Sequence, residues 1–483
     1  MLKFATEQNP SIRVLSDQAI EKIHGATLEI LASTGVAVRH EKARAMLHDA
    51  GASVDGERVR IPAALIEMAI RTAPDRVVLH NRLGEPVMPL EMGRVFFGTG
   101  SDTPSTIDPH TKERRRPRRD DVAAIARLCD GLENIDFVMS MGIISDVPTA
   151  DNYIHGFATM VENTSKPIVF TADNLRDIEI IHKIAQTVAG GKTALLQKPF
   201  LAHYAEPITP LIHSPNGVDK LRYCAQNKIP VAYVSGTTAG GAAPVTLAGA
   251  ISLTNAECLS GLVIHQLASP GAPFIYGANV SVLDMATTAC VYGGPEWRLT
   301  DAAFSNLAHR YRLPVWGAAG NTDAKVVDAQ AGAEAMMSLM SAALSRGNLI
   351  HDVGYIESGL CSSMEMIVLA NELIRMVEIY TNGVRIDADR LALPVIDAVG
   401  PGGHFLDTEH TVRFFRREHF LARLINRDNY PNWIAKGGPD LYEALNARAL
   451  DLLAEHTPQA LSQDIKGKLD QILSSVASSQ SGN

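Results

Sequence analysis

KPFLAHYAEPITPLIHSPNGVDKLRYCAQNKIPVAYVSG, residues 198–236, contains the repeating unit from which the fold can be predicted. Two short runs rich in β-branched and aromatic residues, Phe200–Tyr204 and Pro230–Ser235, flank the amphipathic stretch Asn216–Asn227. A strand, a helix and a second strand at this spacing predict two parallel strands joined by a right-handed crossover. A proline opens or directly precedes each run, where it ends the preceding helix and tolerates the missing N–H donor.

The same unit recurs along residues 94–380. The predicted strands are Val95–Gly98, Asp136–Met141, Pro167–Thr171, Phe200–Tyr204, Pro230–Ser235, Pro273–Tyr276, Pro314–Trp316 and Asn348–Val353. A helical pattern follows each of them. Eight similar units favour closure into a TIM (β/α)8 barrel over an open doubly wound sheet, which usually has fewer strands and a reversal in their order. The sequence therefore predicts an α/β protein whose active site lies where the strands end.

Two segments flank the predicted barrel. Residues 1–93 lack strand–helix alternation and are predicted to form an N-terminal helical cap, with helices over 16–36, 41–50 and 62–73 and a hairpin arm at 54–61. Residues 381–483 are predicted to form a C-terminal helical extension, with a tight loop at 400–406 and helices around 410–426 and 438–455.

Composition narrows the class of protein. The 483 residues carry a net charge of −9, which disfavours a nucleic-acid partner because such proteins normally present a basic stripe. The N-terminus has no apolar signal-peptide core, and no uninterrupted apolar run reaches the ~18 residues that span a membrane. We expect a cytoplasmic protein with no membrane partner, and a homo-oligomer.

Several types of catalytic site leave no trace in the sequence. No lysine stands at a strand end, as a Schiff-base aldolase would require. The sequence has no His-x-His, His-Glu-x-x-His or Cys-x-x-Cys pattern, so no metal site is predicted. A Gly-x-Ser-x-Gly elbow is also missing, which removes the simplest serine hydrolase.

The strand ends contain aromatic residues among many glycines and alanines. The aromatic residues at or near these ends are Phe97, Tyr204, Tyr276, Trp316 and Tyr355. Aromatic faces attract quaternary ammonium groups, each by ~0.5–2 kcal/mol, and glycines let a large flat partner approach the backbone. The alternative is that each ring only fills the top layer of the barrel interior.

Three polar residues at the strand ends are candidates for chemistry. His351 belongs to a short apolar strand, Glu206 precedes a proline on a strand-end loop, and Asn279 follows the sixth strand. Each could instead be a core residue whose hydrogen bonds are made within the protein. Of the three, Glu206 has the position that most favours a functional role. The basic run Arg114–Arg119 is either a solvated face or a dock for an acidic protein partner near the mouth.

Several motifs, taken in order along the chain, resemble the trimethylamine methyltransferase family. They are ILASTGV at 30–36, AGASVDG at 50–56, GTGSDTP at 98–104, DFVMSMG at 136–142, KPIVFT at 166–171 and GPGGHFL at 400–406. The resemblance extends over residues 15–455. Each motif alone is a weak glycine-rich string, and their order gives the resemblance its weight.

The resemblance implies a TIM barrel that passes a methyl group from a methylated amine to the cob(I)amide of a separate corrinoid protein. It implies no tightly bound cofactor, since the corrinoid (cobalamin) is carried by the partner. Trimethylamine enzymes of the family carry pyrrolysine, which a loose alignment places within 354–359, where Ser358 stands. The resemblance therefore favours the pyrrolysine-free branch, which uses quaternary amines such as glycine betaine.

Physical chemistry agrees with a quaternary donor. A quaternary ammonium already carries its charge, so a neutral amine leaves without a general acid, and catalysis is mostly positioning in a dry cavity. The substrate-binding candidates are Phe97, Tyr204, Glu206, Tyr276, Asn279, Trp316, His351 and Tyr355, with rings around the cation and His351 on a carboxylate tail.

Two other functions remain open at this point. One is a barrel lyase or hydrolase that uses Glu206 and His351 as its acid and base. The other is a non-catalytic binder of methylated amines that has lost the transfer step. Assays with and without a corrinoid acceptor would separate both functions from methyl transfer.

Overall fold

Eight parallel strands form a closed barrel at the centre of the protein. A computed structural model describes residues 2–3 and 10–478 of the chain. The barrel strands are β1 Arg94–Thr99, β2 at 137–138, β3 Ile168–Phe170, β4 Leu201–Ala205, β5 Val231–Tyr233, β6 Phe274–Leu283, β7 Val315–Ala318 and β8 Leu349–Val353. Parallel pairing runs from β3 through β8 to β1. The predicted TIM barrel is confirmed.

The second strand is the shortest part of the ring. It is reduced to two isolated parallel bridges, Gly98 with Phe137 and Val138 with Ile168, which connect β1 to β3 and close the barrel. The close approach needs glycine at position 98, because a Cβ atom there would lie 2.5 Å from both the ring and the carbonyl oxygen of Phe137. The sequence predicts a longer strand here, over Asp136–Met141.

An outer layer of eight helices follows the strands in alternation. The helices are α1 Arg119–Gly131, α2 Asn152–Asn163, α3 Leu175–Ala189, α4 Pro215–Asn227, α5 Leu247–Ala268, α6 Pro295–Tyr311, α7 Ala329–Ser345 and α8 Met364–Thr381. Local chemistry fixes several of their ends. Ser214 caps α4 by accepting from the Gly217 N–H, and α3 ends at Gly190 with φ 84°.

One barrel helix has the length and composition of a membrane span. It is α5, and 78% of its most apolar 18-residue window is buried inside the fold. The helix packs between β5, β6 and the N-terminal helices. Among the residues described, no other helix meets these criteria. A helix buried to this extent inside the fold is a core helix.

The N-terminal segment carries the three predicted helices and more strand than expected. Its elements are Asp17–Glu29 with a π-helical turn Ile30–Thr34, Val36–Val38, Glu41–Asp49, the hairpin Ser53–Asp55 and Arg58–Arg60, Ala63–Thr72, and a second hairpin, Val77–His80 and Pro86–Leu90. The second hairpin is not predicted from the sequence. It closes the base of the barrel, where the His80 N–H donates to the Pro199 carbonyl over 2.8 Å.

Inward-facing side chains fill the lower barrel above this hairpin. Leu79 and Met88 of the hairpin belong to one buried cluster with residues from every barrel strand, including Phe96, Val169 and Trp316. Alternate residues of each strand point inward, so the neighbours of these residues face the helices. The base of the barrel is therefore packed. The barrel opens at the opposite end, where the strands finish.

Short elements flank both ends of the barrel and connect its strands and helices. Ser105–Ile107, Arg114–Arg115, Tyr355–Ile356 and Cys361–Ser362 form a four-stranded sheet, Ser235–Ala239 and Cys290–Val291 pair with β6, Ile212–His213 pairs with Val36–Val38, and Leu2–Lys3 pairs with β1. Single turns Thr149–Asp151 and Glu357–Gly359 and the short helix Lys192–Gln197 complete the connections.

The C-terminal segment is helical, as the sequence predicts. Its helices are Ala388–Leu391, Leu393–Val399, Glu409–Glu418, Tyr430–Ala435, Leu441–Glu455 and Gln463–Ser478. The helix expected to reach 426 ends at Glu418. The one expected from 438 begins at Leu441, because Asp440 forms a capping box with Glu443 after Pro439.

We predict that Gly98→Ala lowers the melting temperature, since its methyl group would force Phe137 out of the bridge that closes the barrel. The expected loss is ~1–3 kcal/mol. Differential scanning fluorimetry measures the shift. Gly332→Ala in α7 is the control, because no atom lies within 4 Å of its new Cβ and alanine favours a helix. A Gly98→Ala variant as stable as the control would contradict the role assigned to this bridge.

Candidate functional site

Five of the eight predicted site residues meet at the mouth of the barrel. Tyr204 ends the inward row of β4, and Glu206 follows two residues later on the same side. Asn279 lies within β6, Trp316 in β7 and His351 in β8. Because parallel strands end at the same side of the sheet, these residues come together although 147 positions separate the first from the last.

A chain of polar contacts crosses this mouth. The Tyr204 hydroxyl donates to Glu206 Oε1, and Asn279 Nδ2 donates to the Tyr204 hydroxyl over 3.4 Å. His351 Nε2 lies 3.4 Å from Asn279 Oδ1, and its Nδ1 lies 2.7 Å from Asp352 Oδ1. Both ring nitrogens of His351 thus face oxygen atoms, and the ring is held from two sides.

The aromatic rings stack beneath this polar chain. The Trp316 ring centroid lies 4.9 Å from that of Tyr204 and 4.3 Å from that of His351. Trp316 is only 1% exposed, since the other two rings cover it. It supports Tyr204 and His351 from below, whereas the sequence predicts that it contacts the substrate.

A β-bulge places His351 and Asp352 side by side. The register of β8 against β1 shifts between Ile350 and Val353, so β8 carries one residue more than its partner. Asp352 adopts a left-handed conformation, with φ 74°, which aspartate tolerates better than most residues. Bulges re-aim side chains next to active sites, and this one lets consecutive residues form the 2.7 Å pair.

Two carboxyl groups give the mouth its electrostatic character. Burial raises the pKa of Asp102 to about 6, although Thr171, whose hydroxyl donates to Oδ1 over 3.1 Å, and the Lys220 ammonium both act to lower it. Burial also raises the pKa of Glu206, and the charge of Asp102 adds to that shift. The two groups are close enough to affect each other, so a cation between them would favour their charged forms.

The cavity at the mouth is open to solvent. Protein surrounds Glu206, yet its side chain is exposed, which means that it lines an open space. Gly236, after β5, is also exposed and faces Glu206. A Cβ atom at position 236 would lie 3.2 Å from Glu206 Oε1, so this glycine keeps space beside the carboxyl group.

Tyr355 closes the opposite wall. Its hydroxyl donates to the Ser101 carbonyl oxygen, and its ring lies directly over Gly100. A Cβ atom at position 100 would lie 2.1 Å from the Tyr355 ring. Glycine at position 100 is therefore required for the ring to reach this wall.

Two predicted site residues point elsewhere. Phe97 and Tyr276 occupy the outward rows of β1 and β6 and are buried in the layer between barrel and helices. The Tyr276 hydroxyl donates to Asn255 of α5 over 2.7 Å, and its ring contacts Tyr311 of α6. The prediction that these two rings enclose a substrate is wrong, because strand alternation directs them away from the mouth.

Other residues of the mouth were not identified from the sequence. Asp102 stands in a strand-end loop, so the rule that selected Glu206 could have found it. Tyr292 lies on the arm after β6, where its N–H donates to Asp323 over 2.7 Å. Ser358, in the predicted pyrrolysine segment, donates to the same carboxylate over 2.6 Å. Contacts this distant in sequence leave no local signal.

A small side cavity adjoins Asp102. It lies between the ends of β1–β3 and α2, and its walls include Tyr153, Phe157 and Phe170. Its free volume holds only a water molecule or two. The side cavity is therefore too small for an organic substrate.

The basic run beside the mouth is largely engaged within the protein. Arg115 forms ion pairs with Asp108 and Asp121 at 2.8 and 2.6 Å, and Arg114 pairs with Glu357 at 3.0 Å. Arg116 and Arg118 are exposed. Arg119 Nε donates to the Thr159 hydroxyl over 3.0 Å, so three of the five arginines in the run are engaged within the protein.

Comparison with known families identifies one match. The family model described as trimethylamine methyltransferase (MTTB) matches residues 1–477. The match spans the cap, the barrel and the C-terminal helices together.

Two curated relatives also align with this chain over almost its whole length. The chain is 32% identical over 460 residues to trimethylamine methyltransferase MttB of Desulfitobacterium hafniense (strain DSM 10664 / DCB-2), covering 95% of this chain and 92% of that protein. It is 31% identical over 468 residues to glycine betaine methyltransferase of Desulfitobacterium hafniense (strain Y51), covering 96% and 97%. The two identities are too close to separate the two substrates.

A solved structure agrees with the fold. The monomethylamine methyltransferase MtmB of Methanosarcina barkeri superposes with a TM-score of 0.54 at 11% identity, covering 92% of this chain and 88% of that one. At this identity the similarity concerns the fold alone.

We predict that Lys220→Met raises the pKa of Asp102 above about 6, because the variant removes a positive charge that favours the carboxylate. Infrared pH titration of the protonated-carboxyl band measures this pKa, with Asp102→Asn identifying the band. Lys183→Met, at an exposed position of α3, is the control. Equal midpoints in the Lys220 variant and the wild type would show that Lys220 does not act on Asp102.

Proposed function

Because the chain belongs to the trimethylamine methyltransferase family, we propose that it moves a methyl group from a methylated amine to the cob(I)amide of a cognate corrinoid protein. The favoured donor is a quaternary amine resembling glycine betaine. Trimethylamine is the less favoured donor, since the chain has serine and no pyrrolysine within residues 354–359.

The observation that carries this proposal is the combination of carboxyl groups and an aromatic ring around one open cavity. Asp102 and Glu206 supply negative charge to the mouth, and Tyr204 supplies a ring face beside Glu206. A permanently charged ammonium gains from both, and cation–π attraction adds ~0.5–2 kcal/mol per ring. A neutral donor would gain little from the carboxylates.

Transfer from a quaternary amine needs no proton. The acceptor supplies a nucleophilic electron pair, which forms the new bond to the methyl carbon while the C–N bond breaks. Its electrons stay on nitrogen, which leaves as a neutral tertiary amine. The residues of this chain therefore need only bind the donor, orient it and exclude water.

Each mouth residue has a distinct part in this proposal. Tyr204 and Glu206 hold the ammonium, and the hydroxyl–carboxylate bond between them keeps the ring upright. His351 binds the carboxylate tail of the donor through Nε2, and this contact replaces the 3.4 Å contact of Nε2 with Asn279 Oδ1, while Asp352 continues to hold Nδ1. Trp316 supports Tyr204 and His351 from below.

The acceptor reaches the donor from outside the barrel. The exposed Glu206 and Gly236 mark the side on which the cavity opens. A planar macrocycle carried by a partner protein could cover this opening, and its arrival would displace water from the cavity. Desolvation of this kind strengthens the electrostatic contacts inside.

The acid–base alternative has less support. A lyase or hydrolase would need Glu206 and His351 to reach one substrate atom as a matched pair. Instead Tyr204 and Asn279 separate them, and each is engaged by a different neighbour. Only an assay of methyl transfer to the corrinoid acceptor distinguishes a non-catalytic binder from the enzyme.

We predict that the purified protein methylates cob(I)alamin with glycine betaine or a related quaternary donor, and more slowly or not at all with trimethylamine. The change in the cobalamin spectrum on methylation measures the rate across betaines, carnitine, choline and trimethylamine. Turnover of a donor without any corrinoid would instead support the lyase or hydrolase. Binding without methylation, also with the cognate corrinoid protein, would support the binder.

We predict that Tyr204→Phe lowers kcat/KM for the preferred donor by ~10–100-fold, because a hydrogen bond to a charged group contributes ~1.5–3 kcal/mol. Tyr276→Phe is the matched control. It removes one hydroxyl from the outer layer, so its stability falls while its kcat/KM changes by less than ~2-fold. Equal losses of activity in both variants would contradict a role for Tyr204 in the mouth.

We predict that affinity for a quaternary donor falls as the pH drops through about 6. The pKa of Asp102 is about 6, so below this pH the group is protonated and no longer attracts the cation. Calorimetry between pH 5 and 8 measures the dissociation constant. The Asp102→Asn variant should lose the change centred near pH 6, and a neutral tert-butyl analogue of the donor should show none. A pH-independent affinity in the wild type would contradict the electrostatic account.

A further inference from the structure

Residues 382–440, here called the flank segment, have a folded shape with almost no interior. The segment contains four short helices, and Phe414 is its only buried residue. It also carries 11 of the 24 large hydrophobic side chains exposed among the residues described. These eleven are Val384, Ile386, Leu391, Leu393, Ile396, Phe405, Leu406, Val412, Leu421, Tyr430 and Ile434. A segment of this kind lacks the buried surface that normally offsets the entropy of ordering a chain.

Polar contacts hold the segment in one shape around Phe414. The guanidinium groups of Arg390 and Arg413 lie 5.3 and 5.0 Å from the Phe414 ring. Arg390 also pairs with Glu418 at 2.8 Å, and Arg413 pairs with Asp389 at 2.9 Å. These contacts tie the helices Ala388–Leu391 and Glu409–Glu418 together, so their exposed apolar side chains keep fixed positions relative to one another.

The segment is also attached to the barrel. The Arg423 N–H donates to Glu372 of α8 over 2.8 Å, and its guanidinium pairs with Glu133 at 3.1 Å. The apolar surface therefore has a fixed position on the flank of the barrel, next to α8. Many exposed apolar side chains held in a fixed position are typical of a protein interface.

We propose that the flank segment is the interface through which two copies of this chain associate. The charges favour a second copy. The segment contains eight Arg and Lys and eight Asp and Glu residues, so it is neutral, and the net charge of −9 lies entirely on the rest of the chain. Two acidic bodies repel each other elsewhere, whereas a neutral surface with both signs of charge can pair with itself about a two-fold axis.

The exposed area matches a stable dimer. A large aliphatic side chain presents on the order of 100 Å² of apolar surface, so the eleven exposed side chains present roughly 500–800 Å². Homodimer interfaces are about 65% apolar, which gives about 800–1,200 Å² per partner. Stable interfaces bury about 800 Å² per partner.

A permanent partner fits better than a transient one. A methyl acceptor would dissociate after each turnover and leave this surface exposed to water between encounters. Obligate interfaces between identical subunits are the more apolar class, and a second copy is present whenever the protein is. The interface therefore belongs to the resting protein and does not depend on the reaction that it catalyses.

Analytical ultracentrifugation of the full chain tests this inference. The wild type should sediment at twice the 52.0-kDa chain mass or at a higher multiple of it. The double variant Leu393→Asp/Leu406→Asp should shift toward 52.0 kDa, since it would bury two carboxylates in the interface. Leu196→Asp is the control, because Leu196 is 53% exposed but lies outside the flank segment, and it should leave the mass unchanged.

Hydrogen exchange of the wild type gives a second readout that needs no variant. Amides of residues 382–440 should be protected at micromolar concentrations and lose protection on dilution below the dissociation constant. If the wild-type protein sediments with a mass of 52.0 kDa at micromolar concentration, the inference is overturned. An unchanged mass in the double variant, or protection that does not change while the oligomer dissociates, would overturn it as well.

Discussion

Closure of the eight-stranded ring is the constraint on which the rest of the structure depends. Two isolated bridges, Gly98 with Phe137 and Val138 with Ile168, complete the barrel where the second strand is shortest. Closure directs all strand ends to one side, and the hairpin 77–90 blocks the other side. Asp102, which follows β1, can accept a hydrogen bond from Thr171, which follows β3, because the ring is closed between these two strands.

The electrostatics of the mouth follow from this geometry. Protein atoms around Asp102 and Glu206 displace part of the water near them, so both carboxyl groups ionise less readily than they would in water, although Glu206 still faces the open mouth. A bound cation would restore the favourable environment that water no longer provides. Under the proposed function, the site would bind a permanent positive charge most strongly when both carboxyl groups are ionised. The Tyr204 hydroxyl donates to Glu206 and holds that carboxyl group in place. These electrostatics favour a methylated ammonium as the donor. The proposed transfer does not require a proton donor.

The sequence predicts the barrel well because its signals are local. Prolines before the strands and helix caps such as Ser214 act within a few residues, and the predicted helices α2 and α3 agree with the structure at both ends. The hairpin at 77–90 was missed because its strands are fixed by contacts with the barrel base and not by their own pattern.

The site was only partly predictable. Counting alternate residues along β1 and β6 would have excluded Phe97 and Tyr276, since their neighbours Phe96 and Ile275 face the barrel interior. The same count correctly places Tyr204 and Glu206 on one side. The β-bulge that pairs His351 with Asp352 breaks this alternation, and no sequence pattern announces it.

The most direct test of the account is a crystal structure of the protein with glycine betaine bound. The account predicts the trimethylammonium group within ~6 Å of the Tyr204 ring and beside Glu206, with the carboxylate toward His351. The methyl group to be transferred should point out of the barrel mouth. A ligand bound outside the mouth, or one whose carboxylate points toward Glu206, would contradict the account.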